Sequence, residues 1–173
     1  MIKKIKLTVI LTLALINPLM TAEMETLWGI SKPDLINRLQ LENYSTFKPS
    51  EKPEYSNRII DFFNSMASDQ KFNITIIRTG FKPEIDYCFF NEKLYSISEN
   101  WGNIDITNAG DLLRTLKKQY SEISAENKDQ CLIYSFKKDK TKVVFYKKSD
   151  GTNSVNVNIF YYSTTLFSML FAQ

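Results

Sequence analysis

The stretch Leu27-Trp28-Gly29-Ile30-Ser31-Lys32-Pro33-Asp34-Leu35-Ile36-Asn37-Arg38-Leu39 carries the signals from which the fold can be read. Ser31 stands where an N-cap accepts a backbone N–H, Asp34 follows as in a capping box, and Pro33 falls in the first turn, where no donor is needed. Ile30 and Leu35 occupy the staple positions, and Leu35, Ile36 and Leu39 form the buried stripe of a helix. A Trp-Gly pair leading into Asp-Leu-aliphatic returns as Trp101-Gly102 and then Asp111-Leu112-Leu113-Arg114-Thr115-Leu116. This echo predicts a helix from Thr107 or Asn108 with Leu112, Leu113, Leu116 and Tyr120 facing inward. Two explanations of it stand: a unit used twice, or a chance match among helix-favouring residues.

Working outward, the polar loop Lys48-Pro49-Ser50-Glu51-Lys52-Pro53 precedes a further helix, because Ile59, Ile60, Phe62, Phe63 and Met66 recur at helical spacing behind Ser56. From Phe72 the period falls to 2, which predicts strands near 72–79, 85–90 and 94–99 and, after the Leu112 helix, near 131–136, 141–148 and 153–162. A three-residue loop at Asn91-Glu92-Lys93 would place Ile85, Tyr87 and Phe89 on one face with Tyr95 and Ile97. A type I′ turn at Asp150-Gly151 would pair Tyr146 with Val155 and Val144 with Val157, leaving Asn156 and Asn158 on the other face. A tight turn at Lys138-Asp139 would add Ile133 and Cys131 to the apolar side. The expected fold is therefore α+β, with about six antiparallel strands and three helices packed on the sheet. Tandem αβββ units would divide it into halves 23–100 and 101–173.

Residues 1–22 stand outside that fold. Lys3, Lys4 and Lys6 precede an apolar run from Leu7 to Ile16 and a small-residue exit at Ala22, the pattern of a secretory signal peptide. An apolar run of about ten residues is half what a membrane span needs, so no transmembrane anchor is expected after cleavage. Removing residues 1–22 takes away three of the 22 basic residues and none of the 19 acidic ones, leaving 19 of each. A neutral mature chain has no electrostatic motive for nucleic acid. What remains suits a single domain, 23–173, exported to the periplasm or the outside of a bacterial cell.

The chain has no His and two Cys, which removes His-based nucleophilic triads, His-bearing metal sites and a four-thiolate zinc site. Five scattered glycines make no phosphate loop. No catalytic, metal or cofactor-binding residue is assigned; carboxylates such as Glu84, Asp86, Glu92 or Glu99 could serve a glycosidase-like hydrolase, but their spacing does not mark them out. Export would expose Cys88 and Cys131 to oxidation, so a Cys88–Cys131 disulfide is one outcome. The expected registers put the two on opposite faces and favour separately buried thiols. Lys137, Lys138, Lys140, Lys142, Lys147 and Lys148 make a basic hairpin, to be read either as a surface for an acidic or envelope partner or as lysines protecting an exposed edge. Phe160 and Tyr162 belong to an apolar C-terminal stretch, expected as a last strand and a tail closing the core, of which any exposed part would be a partner-binding patch.

Trp28-Gly29-Ile30-Ser31, the run Tyr87-Cys88-Phe89-Phe90-Asn91-Glu92-Lys93-Leu94 and Leu116-Lys117-Lys118-Gln119-Tyr120 together resemble small exported bacterial α+β domains of a Trp-Gly-x-Ser type, with Ser121 where those carry Gly. More remotely, tandem helix-plus-sheet units look like the beta-lactamase-inhibitor-protein fold and the SmpA/BamE outer-membrane assembly lipoproteins, although the lipidated Cys of the latter has no counterpart here. The resemblance implies binding of protein across a sheet face and no catalysis. The expected function is an exported, non-catalytic module for a protein or envelope component. The alternatives are an inhibitor or immunity-type protein that neutralises one enzyme or toxin and, behind it, a carboxylate-based secreted hydrolase.

Overall fold

The computed structural model describes residues 24–52, 73–128, 130–149, 151 and 153–171; the signal segment expected at 1–22 and the helix expected from Ile59 to Met66 lie outside them. A helical turn at 24–27 leads into α1 (Lys32–Leu39), β1 (Tyr44–Phe47), β2 (Ile74–Thr79), β3 (Glu84–Phe90) and β4 (Lys93–Asp105). Then follow α2 (Ile106–Gln119), β5 (Ser121–Lys128), β6 (Cys131–Lys138), β7 (Thr141–Ser149), β8 (Ser154–Ser163) and α3 (Thr164–Phe171). The eight strands among the described residues form one antiparallel sheet in the order β1-β2-β3-β4-β8-β7-β6-β5. Each helix, α1 and α2, is followed by a four-stranded meander, and the last strands of the two meanders, β4 and β8, pair at the centre. Among the described residues four strands, and not three, therefore follow each of these helices. β4 runs on through Trp101-Gly102 to Asp105.

α1 starts where its sequence says. Asp34 N donates to Ser31 Oγ at 3.4 Å, and the Ser31 hydroxyl donates to Asp34 Oδ2 at 2.6 Å. Ser31→Ala is expected to cost about 1 kcal/mol in a thermal or denaturant melt; no change would mean that tertiary contacts alone hold α1. α2 is capped by Asp105, whose Oδ1 accepts from Thr107 N at 2.7 Å, and these backbone contacts hold its carboxyl below the usual range. Leu35 on α1 and Ala109, Leu112 and Leu116 on α2 are buried against one sheet face, with Leu113 only half-buried. The two Trp-Gly pairs both have glycine at positive φ, yet their settings differ: Trp28-Gly29 closes the helical turn, while Trp101-Gly102 lies inside β4.

Two irregularities in β4 decide which residues face the core. Tyr95 has no opposite number in β3, between the pairs Phe89–Leu94 and Cys88–Ser96, and Trp101 falls outside the register between Asn100–Asn158 and Gly102–Val157. Each extra residue shifts the alternation by one. The inward residues of β4 are accordingly Leu94, Ile97, Glu99, Gly102 and Ile104, with Tyr95 turned to the other face. The β3–β4 connection is a two-residue turn, Asn91-Glu92, with both residues at positive φ, not the expected three-residue loop. The bulge at Tyr95 is what lets this turn keep Tyr87 opposite Ile97.

The β7–β8 register also differs from expectation. Ser149 pairs with Val155, which puts Tyr146 opposite Asn158 and Val144 opposite Phe160. This shift of three residues moves Val155, Val157, Ile159 and Tyr161 to the helix-covered inner face with Val143 and Phe145, and leaves Asn156 and Asn158 on the outer face with Tyr146. The β6–β7 turn is Asp139-Lys140. A smaller apolar cluster on the outer face of the first meander contains Phe47, Ile74, Ile76, Cys88, Phe90 and Tyr95. Leu166 and Phe167 pack on it, because the chain after Ser163 forms α3 and not an extended tail.

Candidate functional site

On the inner face, Glu99 is a carboxylate in an aromatic setting. It is 7% exposed, accepts from Trp101 Nε1 at 2.9 Å and from the Tyr161 hydroxyl, and burial raises its pKa against the lowering effect of those two bonds. Its charge and, more strongly, burial push Tyr87 and Tyr120 up to about 12. Beside this cluster the buried Thr141 hydroxyl accepts from Trp28 Nε1 at 2.8 Å and donates to Glu25. With Gly29 N and Leu94 N exchanging bonds with Leu94 O and Ile30 O at 2.8 and 3.0 Å, the segment 25–30 is tied to the starts of both β4 and β7. Glu99, Thr141 and Tyr161 are buried there, and Glu25, Trp28 and Trp101 are half-buried at the rim of the core.

The outer face carries the other carboxylates. Arg78 donates to both oxygens of Asp86, at 2.7 and 3.0 Å, and lies 3.5 Å from Glu84, while Glu92 occupies the β3–β4 turn. Glu84 and Asp86 therefore share one arginine on one face and Glu99 points to the opposite face, so these residues do not converge on a common point. Among the described residues no group of three or more His, Cys, Asp or Glu is placed to hold a metal ion.

The sheet divides the lysine hairpin. Lys137 and Lys142 are direct cross-strand partners, and Lys142 pairs in turn with Tyr162 of β8 and Tyr162 with Ser96 of β4, giving one outer-face row. Lys142 Nζ sits 5.9 Å from the Tyr162 ring centre, and Tyr162 packs on Phe167 of α3 with centroids 5.1 Å apart. The adjacent row holds Phe160, 8% exposed, with Val144 and Ser135. Lys147 and Lys148 stand about 20 Å away at the other end of β7, Lys147 on the inner face beside Leu132 and Val157. Lys140 lies in the turn. The six lysines thus split into two groups at opposite ends of the hairpin, and Tyr162 joins only the first.

Cys88 and Cys131 share the outer face, contrary to the expected registers, but they are not joined: β4, β8 and β7 intervene, a lateral separation of about 19 Å, beyond the reach of a disulfide. Cys131 Sγ lies 2.8 Å from the Tyr146 hydroxyl.

One further feature escaped the sequence reading. At the C-terminal end of α2 an open groove of about 840 Å³ brings Lys117 and Lys118 together with Lys137 and Lys138, between the start of β5 and the β6–β7 turn. Lys117 pairs with Glu122 at 2.9 Å, a contact that raises its pKa, and lies 4.9 Å from the centre of the Tyr134 ring. Ile123, at a bulge in β5, is 55% exposed in its wall. The lysine pair at 117–118 was legible as a charge run, but its position beside Lys137 depends on β5 being a strand. No helix among the described residues is long and apolar enough to cross a membrane. Comparison with family models, with curated proteins and with solved structures returns no match.

Proposed function

We propose that this chain is an exported, non-catalytic binding module that meets another protein or an envelope component through the outer face of its second meander. The observation that carries the reading is the Tyr162–Lys142–Lys137 row with Val144 and Ile133 beside it, the part of these rows that is not buried, while Ser96 of β4 and Phe160 lie buried beneath it. Aromatic, aliphatic and cationic side chains lie there in register on a rigid sheet whose opposite face is filled by helices. Such a mixture suits a protein interface, where rigid aromatic and cationic side chains serve as anchors.

Affinity capture of the tagged protein from the source cell's envelope and culture fluid, beside a Lys142→Glu/Tyr162→Ala variant, tests this. One partner retained by the wild type and lost at least about tenfold by the folded variant is the expected result. A single enzyme or toxin bound one-to-one would make the module an inhibitor. Turnover that disappears on substituting Glu84, Asp86, Glu92 or Glu99 would replace the binding reading with a hydrolase.

A further inference from the structure

We propose that the groove at the end of α2 receives an extended acidic segment of a partner protein, laid along the outer edge of β5. The proposal rests on the binding-module reading and names the partner's chemistry. Lys117, Lys118 and Lys138 line the groove, with Lys137 at its rim on the other face of β6, against Glu122 and Asp139, an excess of two positive charges, and all four lysines are exposed. That surplus exceeds what the helix C-terminus, worth about half a negative charge, calls for. β5 is the last strand of the sheet and has only β6 beside it among the described residues, so its far edge offers a row of backbone donors and acceptors for a ninth strand. It is exposed almost throughout. Glu122, Glu126 and Lys128, with the bulge at Ile123, discourage indiscriminate pairing of that edge. Ile123 is an apolar foothold that an envelope polyanion would not use and an alternating peptide strand would. Backbone pairing, one apolar contact and a cationic floor together describe a peptide and not a bare polyanion.

The test uses a labelled, end-blocked peptide of about ten residues alternating glutamate and valine, followed by fluorescence anisotropy against the mature protein, with polyphosphate as the second probe. The peptide is expected to bind at low salt and to weaken steeply as NaCl rises beyond physiological strength. Lys118→Glu/Lys138→Glu is expected to weaken it at least about tenfold. Ile123→Ser is expected to weaken the peptide severalfold while leaving polyphosphate unchanged. Bound peptide should also slow amide exchange across residues 121–128. Absence of binding, equal affinity for the wild type and both variants, or unaltered exchange in β5 would overturn the proposal. So would polyphosphate binding more tightly than the peptide with both probes indifferent to Ile123→Ser. The Lys142→Glu/Tyr162→Ala variant separates the two readings. Partner capture that survives the groove variants but not this one removes the groove and keeps the module, whereas peptide binding without any captured partner does the reverse.

Discussion

Phe145→Ala is expected to lower the unfolding free energy by about 3–5 kcal/mol. Phe145 is fully buried in β7, where it pairs with Tyr134 of β6 and Ile159 of β8, and its ring meets Tyr134 edge-on at 6.3 Å. Strands on both sides are held by continuous ladders and α2 caps the same face, so the surroundings cannot collapse into the space a truncated ring leaves. The loss therefore includes both the transfer of the ring and the cavity. Phe81→Ala is the matched control: Phe81 is 83% exposed at the β2–β3 turn, and its removal should stay within about 0.5 kcal/mol. Guanidinium unfolding of both variants, with unchanged slope, measures the difference. A loss below about 1 kcal/mol for Phe145→Ala would mean that the β7–β8 register described here is wrong, since a shift of one residue would turn Phe145 to the outer face.

Between pH 4 and pH 7 the wild type is expected to lose stability relative to Glu99→Gln. Burial raises the Glu99 pKa in the folded protein above its ordinary value near 4.3 in the unfolded chain. The folded state therefore holds the proton more tightly. The stabilisation this provides is complete below the unfolded pKa and fades as pH rises through the folded one, at about 1.4 kcal/mol for each unit of separation. Glu99 is met by Tyr87 from β3, Trp101 from its own strand, Tyr161 from β8 and Tyr120 from the end of α2. Glu25 lies near enough to Tyr120 to add a second negative charge. The Trp101 and Tyr161 donors oppose the shift and limit it. Glutamine keeps an acceptor for them and removes the titration, so the stability difference between the two proteins isolates this one group from the general acid response of the surface. A difference that is flat with pH, or that grows as pH rises, would show that the donors outweigh burial.

The helices were legible because their signals are local. Ser31, Pro33 and Asp34 lie within one turn of each other, and the stripes Leu35–Leu39 and Leu112–Leu116 follow from the 3.6-residue period alone. Six of the eight strands were likewise visible as alternating apolar residues. β1 and β5 were not, because Tyr-Ser-Thr-Phe and Ser-Glu-Ile-Ser-Ala-Glu-Asn-Lys are edge strands. β1 buries only Phe47 and β5 buries nothing, so their conformation is imposed by the strand each pairs with and leaves little trace in side-chain pattern. The groove went unread for the same reason: without β5, nothing places Lys117 and Lys118 beside Lys137 and Lys138.

Register shows the same division. Asp150-Gly151 looked like a two-residue turn, yet the strands leave five residues between Ser149 and Val155, because that pairing buries Val155, Val157 and Ile159 opposite the helices where the tight turn would have buried Tyr146 and Val144. In β4 the bulges at Tyr95 and Trp101 each reverse the alternation, and no property of those two residues announces it. Composition, helix signals and apolar periodicity were enough to establish an α+β chain with helices preceding antiparallel strands, since these depend on neighbours within a few residues. Which face each strand turns to the core, which strands close the sheet, and which lysines meet were decided by cross-strand pairing over distances of tens of residues, where burying the larger apolar set outweighs the preference of any single turn.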